Sequence, residues 1–156
     1  MTMKAYHPIG TISHATLRTE DLLDSFADAL ETAIATVEWP DGGHEIGYRE
    51  VIMNGFIQGI REARMLSALL KLDSEEWQNA ASEMVNETLI DALDSFAPPY
   101  CCFGAHEGDG SDFGFWPMYD DETLAEARES GYRVDVSVHG NVVLYDAKDQ
   151  EVWSIV

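Results

Sequence analysis

Leu89-Ile90-Asp91-Ala92-Leu93-Asp94-Ser95-Phe96-Ala97-Pro98-Pro99-Tyr100-Cys101-Cys102-Phe103-Gly104-Ala105 is the stretch on which the fold turns. Up to Phe96 the apolar residues recur at helical spacing. Pro98 and Pro99 cannot continue a helix, because proline lacks the amide donor and its ring strains the residue before it. Beyond them the residue types become those of strands. The chain therefore reads as helices first and strands later, which predicts an α+β fold.

Working back from the prolines, residues 73–96 read as one long helix, capped by Asp73 or Ser74, with Asp73 and Glu76 at capping-box spacing. Trp77, Ala81, Met84, Val85, Thr88, Leu89, Ala92, Leu93 and Phe96 form its apolar stripe, and Glu76, Glu83, Glu87, Asp91 and Asp94 an acidic one. Residues 48–70 read as a second helix, with Ile52, Phe56, Ile60 and Ala63 on one side. Gly55 and Gly59 lie on the same side, where they let another helix approach closely. Residues 19–37 read as a third helix, with Thr19 as N-cap and Glu20 and Asp21 in the first turn, where negative charge suits the helix dipole. Leu22, Leu23, Phe26, Leu30, Ala33, Ile34 and Val37 form its buried stripe. Glu20, Asp24, Asp28 and Glu31 fall on its outer face with no basic residue among them. Residues 39–47 read as a turn around Pro40, Gly42 and Gly43, and residues 1–18 as an arm or edge strand.

Working forward, residues 100–105 and 112–116 read as strands joined by the loop 106–111. Residues 121–130 read as a short helix with an acidic start. Residues 132–138, 142–146 and 151–156 read as further strands. The expectation is a single domain over 1–156, helical over 19–97 and mainly strands over 98–156. The N-terminal helices would pack on one face of an antiparallel sheet of four or five strands.

The charge is the unusual property. Nine Lys and Arg stand against 29 Asp and Glu, a net charge of −20, while 46% of the residues are hydrophobic, as in folded domains. Such a field repels nucleic acid and anionic lipid and attracts basic proteins and divalent cations. Between Leu72 and Ala127 there are fourteen acids and no Lys or Arg. No run of apolar residues reaches membrane-spanning length and no signal-peptide core stands at the N-terminus, so the expected compartment is the cytosol. Cys101 and Cys102 are adjacent and on a strand would face opposite ways, so they are expected to stay reduced.

The glycine-rich segment around 103–117 is the most site-like. His106, Glu107, Asp109 and Asp112 are the candidate metal ligands, although Asp112 replaces the turn glycine of a calcium loop and Met118 stands where its last Glu would be. Neither His44-Glu45 nor His106-Glu107 continues to a second histidine four residues on, so a zinc-hydrolase helix is unsupported. Ser13-His14, His7 and His139 stand alone, and no nucleophile elbow is present. No cofactor is called for.

The segment Pro98-Pro99-Tyr100-Cys101-Cys102-Phe103-Gly104-Ala105-His106-Glu107-Gly108-Asp109-Gly110-Ser111-Asp112-Phe113-Gly114-Phe115-Trp116-Pro117 resembles small phage and plasmid proteins to which no activity is assigned; the resemblance implies an accessory gene on a mobile element. In size and acidity the chain is similar to antirestriction and anti-CRISPR proteins that imitate DNA. The resulting expectation is a non-enzymatic inhibitor. Glu20, Asp24, Asp28, Glu31, Glu76, Glu83, Glu87, Asp91 and Asp94 would occupy a basic site on a host nuclease or other nucleic-acid-binding protein. The alternatives are a metal- or small-ligand-dependent enzyme using His106, Glu107, Asp109 and Asp112, and a homo-oligomeric structural protein packed through Trp116, Trp153 and the C-terminal strands.

Overall fold

The computed structural model describes residues 7–36, 46–69 and 74–156. Of the turn expected over 39–47, residues 39–45, with the pair His44-Glu45 and the capping role of Asp73, lie outside them; Ile46 and Gly47 belong to a helix instead. Strand β1 (Gly10–Ser13) is followed by helices α1 (Thr19–Thr36) and α2 (Ile46–Ala68). A third helical rod comprises α3 (Glu75–Glu83), a π-helical segment (Met84–Leu89) and α4 (Ile90–Asp94). Strands β2 (Cys101–His106) and β3 (Asp109–Pro117), helix α5 (Asp121–Glu129) and strands β4 (Arg133–Val136), β5 (Val142–Tyr145) and β6 (Glu151–Ile155) complete the chain. The α+β class agrees with the sequence. Ser74 caps α3, its hydroxyl accepting from Trp77 N at 3.1 Å.

The π-helical segment has a cause in the sequence. Trp77, Ala81, Val85, Leu89 and Leu93 recur at strict steps of four and all are buried. In an α-helix each such step overshoots a full turn by about 40°, so the last of these residues would rotate far off the stripe. A wider turn over Met84–Leu89 absorbs the drift and returns Leu89 and Leu93 to the core.

The strands form two three-stranded antiparallel sheets, ordered β1-β3-β2 and β4-β5-β6, in place of one sheet of four or five. The expected single sheet is corrected for two reasons. Strand β3 ends at Pro117, which has no amide to extend a ladder. Asp120 then starts α5, accepting from Thr123 N at 2.8 Å and carrying the chain away from the first sheet. The free edge of β3 is taken by β1, with Gly10 opposite Phe115 and Thr11 opposite Gly114. This crossing needs a glycine at 114: a Cβ there would lie 2.8 Å from Gly10 C and 2.9 Å from Trp116 Cζ2.

Two hydrophobic clusters follow. In the first, Leu23, Phe26 and Leu30 of α1 are fully enclosed between the helical rod and the inner face of the first sheet. Phe26 meets Phe103 edge-on with ring centroids 5.0 Å apart, and Phe113 at 5.5 Å. Burying such a ring contributes about 1.5–3 kcal/mol. In the second, α5 lays Leu124 and Ala127 on Val142, Leu144 and Trp153. Trp153 ties the two together, donating its indole N–H to the carbonyl of Pro99 at 2.8 Å. Trp153 is therefore interior, and Trp116 donates to Gly104 O at 3.0 Å. Of the two tryptophans expected to pack an oligomer contact, Trp153 is buried within this fold and Trp116 is half-buried.

Candidate functional site

Helix α1 directs Asp24, Asp28 and Glu31 outward, as its periodicity demands, and all three are exposed. They do not stand alone. Arg64 of α2 reaches across and bridges them, bonding Asp28, with its guanidinium nitrogens 3.5 Å from Asp24 and 3.4 Å from Glu31. The carboxylates raise the guanidinium's pKa, the Asp28 hydrogen bond most of all. Glu20 is held by Arg18, whose Nε donates at 2.9 Å; its pKa is lowered, first by a backbone hydrogen bond and then by Arg18. No basic residue of α1 itself stands among these acids, and the neutralising cations are supplied from outside the helix. The cations come from Arg64, 33 or more residues along the chain, and from Arg18, two residues before Glu20.

The helical rod behaves differently. Glu76, Glu83, Glu87 and Asp91 are exposed, and none forms a salt bridge with a described residue. Asp94 serves the fold instead, since its carboxylate accepts from Phe103 N at 2.7 Å and fastens the end of α4 to β2. Of the nine acids picked out by spacing, four remain as surface charge on one rod without a salt bridge to any described residue.

Beside that rod lie two concavities along its seam with α2. One of about 390 Å³ is lined by Met65, Leu66, Leu69 and Met84, with Glu62 and Glu83 among its walls. The other, about 410 Å³, is lined by Ile52, Phe56, Gly55, Gly59, Ala92 and Asp91. Thr88 borders both. The close approach expected at Gly55 and Gly59 is not required by this seam: a Cβ at Gly59 would meet the Thr88 methyl at 3.5 Å, an ordinary contact, and one at Gly55 would meet nothing within 4 Å.

The glycine-rich hairpin does not assemble a metal centre. Among the described residues no group of three His, Cys, Asp or Glu side chains converges for an ion. The hairpin itself separates them. Asp109 turns back to cap its own bend, accepting from Ser111 N at 2.9 Å and Ser111 Oγ at 2.7 Å, and these bonds lower its pKa. Its other oxygen lies 3.4 Å from His14 Nε2, a cross-strand neighbour that spacing could not show. His106 packs edge-on against Trp116 and accepts from Gly108 N at 3.0 Å. Glu107 instead lines a pocket of about 520 Å³ with Cys102, Trp116, Tyr119 and Asp120. Asp112 Oδ1 is enclosed without a hydrogen-bond partner among the described residues.

Both cysteines are free. Burial pushes the Cys101 thiol up to about 12, and burial followed by the charge of Asp94 raises Cys102. Neither is a ready nucleophile, since the thiolate is the reactive form. No described helix is long and apolar enough to cross a membrane. No family model, no curated protein and no solved structure matches the chain.

Proposed function

We propose that this is a non-enzymatic binding protein that docks on a basic protein surface, such as the groove of a host nucleic-acid-binding or defence protein, through the exposed acids of its third helical rod. The observation that carries this reading is the set Glu76, Glu83, Glu87 and Asp91, exposed along one rod without a salt bridge to any described residue. Like charges on one helix cost a few tenths of a kcal/mol per close pair, and an interleaved lysine would remove that cost. A cationic partner supplies the missing charge. The acids of α1 take a smaller part, because Arg64 and Arg18 already offset some of their charge.

The test is the affinity for dodecalysine, measured by calorimetry at graded salt. Glu83→Lys with Glu87→Lys should weaken binding about tenfold, a change of about 1.4 kcal/mol. The same reversal on α5, Glu122→Lys with Glu126→Lys, should have a much smaller effect. Raising salt toward 0.15 M, where screening acts beyond about 8 Å, should weaken the complex steeply. Equal effects from the two reversals, or binding indifferent to salt, would remove the proposal.

A further inference from the structure

The seam between α2 and the third rod is apolar along its floor and acidic along its walls, and an acidic surface alone does not account for that. The two helices run antiparallel: Trp77 of α3 reaches Leu66 near the end of α2, Gly59 meets Thr88 midway, and Gly55 lies with Asp91 and Ala92. From Ile52 to Leu69 the α2 side of the seam is about 26 Å long at 1.5 Å per residue. Met65 and Leu69 are 64% and 44% exposed, a cost in water that burial under a partner would remove. Glu62, Glu83 and Asp91 stand around this floor.

Resting on the binding reading above, we infer that the partner's contact element is a basic amphipathic helix of about five turns, seated in this groove with its apolar stripe on Met65, Leu69, Phe56 and Ile52. An amphipathic helix presents apolar anchors at i, i+3, i+4 and i+7, and groove binders use that spacing. Lysines or arginines beside the stripe would face Glu62, Glu83 and Asp91. A bare phosphate backbone or a purely charged surface would leave the apolar floor uncovered. A second copy of this chain fits poorly. Of the described helices only α2 has more basic than acidic residues, and it already forms one wall of the groove.

The probe is a fluorescent 18-residue peptide of leucine and lysine, with leucines at helical spacing, compared with a scrambled peptide of equal composition and with dodecalysine. The periodic peptide should bind at least tenfold more tightly than the scrambled one. Met65→Gln with Leu69→Gln changes only exposed side chains and should abolish that advantage while leaving dodecalysine binding unaltered. Circular dichroism verifies that the variant is folded. Equal binding of periodic and scrambled peptides, or a periodic peptide indifferent to the double substitution, would overturn the groove inference. If dodecalysine also fails to bind at low salt, the broader proposal fails with it. If sedimentation reveals a dimer that this double substitution dissociates, the occupant is a second copy and the inference is overturned in that way.

Discussion

Trp77 of α3 donates its indole N–H to the carbonyl of Leu66 on α2 at 2.8 Å. Leu66 belongs to the last turn of α2, and its carbonyl accepts a second hydrogen bond from Leu69 N at 3.1 Å. One buried side chain thus ties α3 to the end of α2 and fixes the seam on which the docking groove depends. Trp77→Phe keeps an aromatic ring but removes the donor. The expected loss is about 1 kcal/mol, lowering the melting temperature by roughly 2–4 °C in a domain of this size. An unchanged Tm in calorimetry would show that the bond contributes nothing.

The wide turn of the third rod makes a sharper claim. Deleting Asn86, an exposed residue inside Met84–Leu89, converts the strict four-step repeat into steps of four, four, three and four. An ordinary α-helix accommodates that pattern. The deletion should leave Tm within about 4 °C of the parent, whereas inserting an alanine after Asn86 should lower it much further. If deletion and insertion are equally harmful, the repeat is not what shapes the helix.

Arg64 couples α1 to α2 through exposed carboxylates. Exposed pairs contribute about 0–1 kcal/mol and weaken as salt rises. Arg64→Gln should therefore destabilise the protein by about 0.5–1 kcal/mol at low salt, and the difference should fade near 1 M salt, where the screening length is about 3 Å. Denaturant melts at two salt concentrations measure this. A difference that persists at high salt would mean that Arg64 acts by packing.

Cys101 supplies a pH dependence with a definite sign. Burial raises its pKa from the ordinary 9.0 to about 12 in the folded state. The folded state therefore holds that proton more tightly. The stability this provides is complete below pH 9 and is lost as pH rises through 9 to 12. At pH 8 iodoacetamide should modify Cys101 far more slowly in the native protein than in urea, as mass spectrometry would record. Equal rates would place the thiol in contact with solvent.

Much of this architecture can be read along the chain, because helical stripes and the Pro98-Pro99 stop are local signals. The strict spacing of Trp77, Ala81, Val85, Leu89 and Leu93 also lay in the sequence and pointed to a widened turn, although a single α-helix was the expectation. What could not be read is tertiary. Arg64 lies 33 to 40 residues from the acids it bridges. Likewise, no local pattern announces that β1 takes the edge of β3, which leaves β4, β5 and β6 to form a second sheet. The same limit explains the candidate metal ligands: the hairpin turns Asp109 to Ser111 and His14 and His106 to Gly108 and Trp116, sets Glu107 in a pocket wall, and leaves Asp112 Oδ1 without a partner among the described residues.

The central claim is that Glu76, Glu83, Glu87 and Asp91 form the docking face, and residue-resolved NMR during titration with dodecalysine tests it most directly. The largest amide shift changes should fall between residues 76 and 91 and on the facing turns of α2, with little response on α5 or around Asp135 and Asp149. Changes spread evenly over every acidic segment, or centred on α5, would contradict the claim and leave the rod's charge without a recognition role.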